Sequence, residues 1–318
     1  MTFNQQMEVW RLQTEEALAA VLPQDDSTRY RTLIEAMRYS LLAGGKRIRP
    51  VLAFACADAF EKGKWWQGEG KHNLPEQKHY VPSDYVAKLA AAIEMIHTYS
   101  LIHDDLPCMD DDELRRGRPT NHMVYGEGVA VLAGDALLNA AYENLFEIAC
   151  QAGQPGARCG HIVAKLAGRN GMIGGQMIDI DLEGQPEAAD EILLQELQSL
   201  KTGALIRCPL LGVAALYEAP QILVDLLNQY GTLLGRAFQI QDDLLDESSN
   251  TEIMGKTVGK DVRDQKATYV TVLGTDGALK RLRELTDDLY KCCDELSGAG
   301  LEVSFMRDLV DYLNARKN

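Results

Sequence analysis

Apolar residues recur every three or four positions along nearly the whole chain, which is the spacing that buries one face of an α-helix. Long alternations of apolar and polar residues, the pattern of a half-buried strand, are missing from the sequence. The periodic segments predict helices over residues 4–22, 28–42, 50–61, 83–105, 127–151, 157–170, 188–202, 204–217, 219–246, 262–274, 276–296 and 301–316. We therefore predict an all-α fold, a bundle of long helices around a central cavity.

Helix-breaking residues separate these segments, and none of the breaks has the composition of a domain linker. They fall at Pro23, Gly44–Gly45, Pro107, Pro119 and Gly184–Pro186. Residues 61–82 are polar, contain Gly and Pro and lack a period, which predicts a surface loop. Its tryptophans, Trp65 and Trp66, would anchor the loop to the body of the protein or, as the less favoured alternative, contact a partner subunit. We predict a single domain over residues 1–318.

The composition changes this picture little. With 46% hydrophobic and 25% charged residues, the chain resembles an ordinary globular protein that can bury a sizeable core. Seven Cys without a CxxC pair predict neither a disulfide framework nor a zinc site, and they suggest a reducing compartment. The opening MTFNQQMEVWRLQ lacks the basic and apolar regions of a signal peptide, and no run reaches about 18 apolar residues. We expect a cytoplasmic protein without a membrane span.

The charge indicates what the protein binds. A net charge of −15 argues against nucleic acid and against an anionic membrane surface, since both need a basic face. The basic residues nevertheless gather in three short stretches, 44–49, 115–118 and 256–266. Compact basic clusters on an acidic protein suggest a small anionic ligand.

An acidic cluster lies near the end of the helix predicted over 219–246. Asp242 and Asp246 are four positions apart, so their carboxylates share one helix face, together with Gln239. Two like charges within an apolar run are costly, and a hard divalent cation would remove that cost. The alternative interpretation is a solvated face on a surface helix.

The first acidic cluster along the chain ends the helix predicted over 83–105, and the cluster around Asp242 is the second. Five Asp and one Glu occur between Asp104 and Glu113, and three Arg follow at once. Pro107 would end the helix and let the chain fold back, so that Asp110 returns beside Asp104. Magnesium prefers oxygen ligands and keeps few protein carboxylates, so two such clusters facing one cavity would hold Mg²⁺ bridged to a diphosphate.

These residues resemble a known family. DDLPCMDDDELRRGRPT and QIQDDLLD are similar to the two aspartate-rich motifs of the trans-polyprenyl diphosphate synthases, and most of all to those of the bacterial farnesyl diphosphate synthases. GGKRIRP, the Gly174–Gly175–Gln176 and Lys201–Thr202–Gly203 steps, and GKTVGKD occur in the order of that family, from residue 44 to about 268. The resemblance implies an all-α fold of the isoprenoid synthase type.

The resemblance also implies an activity. A magnesium-dependent prenyltransferase would condense isopentenyl diphosphate head to tail with dimethylallyl and geranyl diphosphate, giving (2E,6E)-farnesyl diphosphate and diphosphate for isoprenoid biosynthesis. Ionisation of the allylic diphosphate, attack by the isopentenyl double bond and loss of a proton need no nucleophilic side chain. The resemblance implies three magnesium ions bound with the allylic diphosphate, and a homodimer.

Alternatives remain open at this point. A geranylgeranyl or other short-chain polyprenyl diphosphate synthase would carry the same motifs, and a terpene cyclase would also ionise a prenyl diphosphate on magnesium. Outside catalysis, the chain could be a partner subunit of a heteromeric synthase or a helical interaction protein with acidic faces. The basic residues for a second diphosphate disfavour the cyclase, and the presence of both aspartate motifs disfavours the partner subunit.

The family assigns roles to matching positions. The catalytic set it implies is Asp104, Asp105, Asp110, Lys201, Asp242 and Asp243. Within the acidic clusters, Asp104, Asp110 and Asp242 would ligate magnesium, with Asp105 and Asp246 assisting as secondary ligands. The allylic diphosphate would be held by Arg115, Lys201, Thr202, Gln239 and Lys256. Isopentenyl diphosphate would be held by Gly45, Lys46, Arg49, His97 and Arg116. Tyr99, with Ser100 beside it, would stop chain growth at the farnesyl stage.

His97 also has support from spacing alone. It lies seven residues, or two helical turns, before Asp104, so both side chains share a helix face and point into the same cavity. Plainer interpretations are a hydrogen-bonded core histidine for His97, a helix-neighbour contact for Gln239 and a core tyrosine for Tyr99.

Overall fold

The computed structural model describes residues 1–22, 27–67, 81–182, 190–252 and 267–315. Its helices are α1 (Phe3–Val21), α2 (Arg31–Leu41), α3 (Ile48–Lys62), α4 (Ser83–Asp104), α5 (Asn121–Tyr125), α6 (Glu127–Ala152), α7 (Gln154–Ala167), α8 (Met172–Leu182), α9 (Glu191–Lys201), α10 (Gly203–Leu216), α11 (Gln221–Glu252), α12 (Tyr269–Gly298) and α13 (Ser304–Asn314). A 3₁₀ turn covers Trp65–Gln67, and β1 (Leu114–Arg115) pairs antiparallel with β2 (Arg118–Pro119) in a short hairpin. The all-α prediction is confirmed.

Most predicted helices begin and end within three residues of those in the structure. The helices α5 and α8 were not predicted, because α5 is short and because Gly171, Gly174 and Gly175 obscure the period around α8. The helices predicted over 262–274 and 276–296 form one element, α12, whose backbone is non-helical at Gly274 (φ 69°, ψ 162°). Residues 262–266 lie outside the described residues.

The first of two compact units comprises Met1–Ala57, Tyr80–His161 and Ala215–Glu218. Its centre is α4, which packs against α1, α2 and α6. The segment Leu89–Ile96 is buried throughout, as expected for a helix with apolar residues on all sides. Burying each such Leu or Ile side chain contributes about 1.5–3 kcal/mol. This core fixes the C-terminal end of α4, where the first acidic cluster begins.

The second unit comprises Asp58–His79, Ile162–Ala214 and Ala219–Asn318. In it, α11 packs against α9, α12 and α13, and α8 packs against α9. The buried Tyr230 hydroxyl donates to the carbonyl oxygen of Met306, 2.8 Å away. The ring of Trp65 packs edge-on against Phe60, and its Nε1 donates to the Phe60 carbonyl at 3.1 Å, so Trp65 is an anchor as predicted. The single domain over residues 1–318 stays a prediction.

Two caps place backbone groups that matter for the second acidic cluster. Asp190 accepts a hydrogen bond from the amide of Leu193 and so begins α9. Thr268 and Thr271 form a reciprocal cap that begins α12, which orients the amide of Tyr269.

In the part of the chain that the structure describes, no single helix is long and apolar enough to cross a membrane. The pair of α9 and α10, bent by 48°, meets the length and composition criterion only when the two helices are taken together.

Candidate active site

The first acidic cluster forms a tight turn after α4. The amide of Asp110 donates to the carbonyl oxygen of Asp104 at 2.8 Å, and the amide of Asp112 donates to that of Asp105 at 3.1 Å. Pro107 cannot continue the helix, and the chain folds back over this stretch. The prediction that Asp110 returns beside Asp104 is confirmed.

Asp105 points inward, toward the hairpin that follows the turn. Asp105 is only 3% exposed, and its carboxylate accepts hydrogen bonds from Arg115 Nε, at 2.8 and 3.0 Å, and from Arg115 Nη2 at 2.6 Å. Burial raises the pKa of Asp105, and the Arg115 charge opposes that rise. A carboxylate bound on both oxygens fixes the guanidinium plane, so Asp105 is placed to orient Arg115.

A cavity in the first unit brings several predicted ligands together. It encloses about 570 Å³ of empty space, open solvent included, between α2, α4 and the hairpin. Its lining comprises Tyr39, Ser40, Ala43, Arg47, Glu94, His97, Thr98, Leu101, Ile102, Asp105, Arg115, Arg116, Arg118, Pro119, Thr120 and Asn121. Of the predicted isopentenyl diphosphate ligands, His97 and Arg116 line this cavity, whereas Lys46 and Arg49 are not among the described residues that do so.

His97 is electrically neutral in this setting. Burial lowers the pKa of His97 well below its usual value, and the charges of Arg49, Arg116, Arg115 and Arg47, in decreasing order, lower it further. Carboxylates balance Arg47 and Arg115, whereas Arg116, which also lines the cavity, has no ion-pair partner among the described residues, so a net positive charge remains beside the imidazole. Such a site favours a multiply charged anion.

The two glycines of the GGKRIRP stretch bring the hairpin close. Arg116 Nη1 donates to the carbonyl oxygen of Gly44, and a Cβ on Gly45 would overlap that guanidinium. Both glycines have a positive φ, 83° at Gly44 and 141° at Gly45, which side chains disfavour. Among the described residues no carboxylate forms an ion pair with Arg116. Burial lowers the pKa of Arg116, and the charges of Arg47 and Arg115 lower it further, whereas the charge of Glu94 opposes the shift. An added anion would therefore be stabilised beside Arg116.

The second acidic cluster organises predicted ligands in the second unit. Gln239 Nε2 donates to Asp243 Oδ1 at 2.8 Å, and the Thr202 hydroxyl donates to Gln239 Oε1 at 3.1 Å. Asp243 is only 5% exposed, and its other oxygen accepts from the amide of Tyr269 at 2.8 Å. The amide group of Gln239 is thus held in one orientation, with an N–H left for a ligand.

Close helix approaches make this arrangement possible. A Cβ on Gly235 of α11 would lie 2.9 Å from the Cα of Gly203, so only small residues allow α10 and α11 to meet beside Thr202. A Cβ on Gly175 of α8 would likewise overlap the backbone of Lys201. Small residues at such crossings let backbones approach closely.

Asp179, which was not among the predicted site residues, accepts an ion-paired hydrogen bond from Lys201 Nζ. The signal was present, since Asp179 lies four residues after Gly175 and so on the same face of α8. Arg47 and Glu94, which line the cavity, were also missed. Lys256 lies outside the described residues.

The oxygen donors suit a hard cation. Desolvation raises the pKa of Asp246, although much of its side chain is exposed, and the charge of Asp242 raises that pKa further. The two carboxylates therefore interact. Within the described ranges, no group of three or more His, Cys, Asp and Glu side chains forms a metal cage by itself. Magnesium commonly takes one or two carboxylates and completes its shell with water and phosphate. Asp104 with Asp110, and Asp242 with Asp246, offer carboxylate oxygens of the kind that such an ion takes.

Comparison with known proteins gives a consistent result. The family model described as Polyprenyl synthetase matches residues 30–298. A farnesyl diphosphate synthase of Escherichia coli (strain K12) is 37% identical to this chain over 322 residues, which cover 99% of each protein. A chloroplastic geranylgeranyl pyrophosphate synthase of Capsicum annuum is 40% identical, over 89% of this chain and 71% of that protein. The crystal structure of an FPP/GFPP synthase from Zymomonas mobilis, in its apo form, superposes with a TM-score of 0.79 at 32% identity, covering 98% of this chain and 99% of that one.

Proposed function

Because the chain belongs to the polyprenyl synthetase family and is a prenyltransferase, we propose that it condenses isopentenyl diphosphate head to tail with dimethylallyl and then geranyl diphosphate. The products would be (2E,6E)-farnesyl diphosphate and diphosphate. The observation that carries this proposal is a cationic cavity around His97 in one unit. It is supported in the other unit by Lys201, Thr202 and Gln239, the residues proposed to bind the allylic diphosphate, whose side chains are held by hydrogen bonds. Two diphosphate sites suit a condensation, whereas a terpene cyclase needs one.

Enzymes of this family generally depend on magnesium. In this proposal Asp104, Asp110 and Asp242 ligate the metal, and Asp246 assists; three ions would bind with the allylic diphosphate. Bound magnesium supplies positive charge that stabilises a departing diphosphate. Asp105 and Asp243 serve as positioning residues, because both are buried and already bound by Arg115 and Gln239.

The isopentenyl diphosphate binds in the cavity of the first unit. His97 donates an N–H as a neutral imidazole, and Arg116 contributes charge from the hairpin. Lys46 and Arg49 flank the buried Arg47 in sequence and extend the same basic stretch, with Gly45 giving the backbone room. A fork of donors on Arg and a point charge on Lys are the usual partners of phosphate oxygens.

The allylic diphosphate is held by Arg115, Lys201, Thr202, Gln239 and Lys256. Asp105 fixes the plane of Arg115. Asp243 accepts one N–H of the Gln239 amide group, which fixes that group and leaves its second N–H for a phosphate oxygen. Asp179 restrains the ammonium group of Lys201. Preorganised donors stabilise charge on the leaving group without reorganisation during the reaction.

Tyr99 and Ser100 are proposed to limit the product. Tyr99 is buried on α4, and its ring packs edge-on against His103 with the centroids 5.6 Å apart. The Ser100 hydroxyl donates to the carbonyl oxygen of His97 at 2.9 Å, which keeps it against the helix. A rigid aromatic ring near Asp104 suits the floor of a tail pocket. We further propose a homodimer acting in the cytoplasm.

One assay tests the proposal. Purified protein with magnesium, isopentenyl diphosphate and each allylic starter should yield farnesyl diphosphate, sized by chromatography. Asp104→Ala and Asp242→Ala should each lose roughly a thousandfold in rate, about 4 kcal/mol of barrier, while circular dichroism stays helical. Asp84→Ala and Asp225→Ala, at the other ends of α4 and α11, are matched controls that should keep full activity.

Three results would contradict the proposal, each in a different part. Normal turnover by either cluster variant would remove that aspartate from the metal site. Cyclised products formed from one prenyl diphosphate, without consumption of isopentenyl diphosphate, would favour a terpene cyclase. A longer product from the unaltered protein would instead select the geranylgeranyl alternative.

A further inference from the structure

Arg47 is a buried guanidinium that neither aspartate motif explains. It is 4% exposed and has a left-handed backbone, φ 50°, which residues with side chains rarely adopt. It lies between the glycine turn and α3, within the predicted isopentenyl diphosphate stretch. A buried charge in an unusual backbone conformation needs compensating contacts.

Two carboxylates from different helices supply them. Arg47 Nη1 donates to Glu94 Oε1 of α4 at 2.7 Å, and Arg47 Nε donates to Glu15 Oε1 of α1 at 2.9 Å. Nη2 donates to the carbonyl oxygen of Leu41 at 2.6 Å and to Glu15 Oε2 at 3.3 Å. Glu94 is itself 3% exposed, so this is a largely desolvated ion cluster.

The contacts occupy most of the donors of Arg47. An arginine has five N–H groups, and the four bonds to Glu94, Glu15 and Leu41 leave little for a ligand. Arg47 lines the cavity, but its charge is matched by the two carboxylates. These observations favour a positioning residue over a direct phosphate ligand.

The cluster closes a ring of contacts around the cavity. Arg47 ties the glycine turn to α4 through Glu94, one helical turn before His97. Arg116 ties the hairpin to the same turn through the Gly44 carbonyl, and Arg115 ties the hairpin to α4 through Asp105. Three separate chain segments are thereby held in register around one anion site.

We propose that Glu15, Arg47 and Glu94 form a positioning cluster that sets the affinity for isopentenyl diphosphate separately from the allylic substrate. The inference rests on the proposed function and deepens it, because it names residues that position the isopentenyl diphosphate ligands without binding the substrate themselves. The cluster acts by holding the glycine turn against α4, so that Lys46, His97 and Arg116 present their charges and donors together. Loss of any member leaves a buried charge without its full set of partners.

The kinetic test compares the two substrates. Glu94→Gln keeps the shape of the side chain, Arg47→Lys keeps the charge but loses the fork, and Glu15→Gln is the mildest change, since this side chain is partly exposed. Each should raise KM for isopentenyl diphosphate about ten- to hundredfold, with KM for geranyl diphosphate and kcat within about twofold. Glu147→Gln, which breaks an exposed pair with Lys88 between α6 and α4, is the control and should change neither constant.

A binding experiment separates this inference from the proposed activity. Calorimetric titration of inorganic diphosphate without magnesium should show weaker binding to Glu15→Gln and Glu94→Gln than to the unaltered chain, whether or not the protein condenses prenyl diphosphates. Equal rises in KM for both substrates, or unchanged diphosphate binding in the folded Glu15→Gln variant, would overturn the inference. Absence of any turnover by the unaltered chain, with diphosphate binding still dependent on Glu15, would instead refute the proposed function alone.

Discussion

The almost completely buried carboxylate of Asp105 accepts hydrogen bonds from Nε and Nη2 of Arg115, which lies ten residues later in the chain. Asp104, the preceding residue, lies beside Asp110 in the turn instead. Adjacent aspartates of one motif therefore lie in different surroundings, since one is placed beside Asp110 in the turn and the other orients a guanidinium. Asp243 likewise acts on a neighbouring side chain, because it accepts a hydrogen bond from Gln239 Nε2.

The two aspartates should respond differently to substitution. Asp105→Asn keeps the shape but removes the charge that orders Arg115, so we expect kcat/KM for the allylic substrate to fall about ten- to hundredfold. Steady-state kinetics with varied geranyl diphosphate measures this. Asp112→Asn is the matched control, because that carboxylate lies 3.9 Å from Arg115 Nη2 and should matter less. A loss at Asp105 as large as at Asp104 would argue for direct metal ligation by both.

The two neighbouring glycines should separate backbone strain from ligand displacement. Gly44→Ala and Gly45→Ala both force a side chain onto a positive φ, and each should cost about 1–2 kcal/mol of unfolding free energy. A Cβ on Gly44 meets open space, whereas a Cβ on Gly45 meets Arg116. Only Gly45→Ala should therefore raise KM for isopentenyl diphosphate, as measured by initial rates. Equal KM values for the two variants would show that Arg116 can shift without loss.

His97 should make stability depend on pH in a definite direction. Its folded pKa lies well below the usual 6.5, so below about pH 6.5 the unfolded chain binds a proton that the folded chain does not. The contribution of neutral His97 to the free energy of unfolding is therefore complete above about pH 6.5 and decreases as the pH drops. The slope of the free energy of unfolding against pH approaches about 1.4 kcal/mol per pH unit. Denaturant unfolding from pH 7.5 to 5.0 measures the slope, and His97→Gln should flatten it. An unchanged slope in that variant would mean that His97 titrates normally.

Tyr99 should control product length. Tyr99→Ala removes the ring that packs against His103 and should shift products beyond farnesyl diphosphate, as sized by chromatography. Tyr99→Phe keeps the ring and should leave the product unchanged, and Tyr85→Ala near the start of α4 is a control for loss of a tyrosine. If Tyr99→Ala gave only farnesyl diphosphate, the floor of the tail pocket would lie elsewhere.

The helices and the two acidic clusters could be predicted because both follow short-range rules. A 3.6-residue period predicts α4 and α11, and Pro107 predicts the turn that brings Asp110 back to Asp104. The break predicted between residues 262–274 and 276–296 lies one residue from Gly274, where the backbone of α12 leaves the helical conformation.

The contacts that tune the site could not be predicted in this way. Arg47 and Glu94 are 47 positions apart, and Lys201 and Asp179 are 22 apart, so no helix spacing rule links them. Their pairing depends on which helices pack together and on how closely small residues such as Gly175 let them approach. The hairpin from Leu114 to Pro119 was missed because two-residue strands carry no readable alternation.

The turn after α4 has a practical consequence. It leaves Cys108 exposed between Asp104 and Asp110, and of the other cysteines only Cys150 is exposed. The remaining thiols are buried, and burial raises the pKa of Cys159 to about 12, so those thiols react slowly. In a Cys150→Ser background, a fluorescent dye attached to Cys108 would lie within the acidic turn itself. Its emission would then respond to changes in the charge and solvation of those carboxylates, at a single known position in the fold.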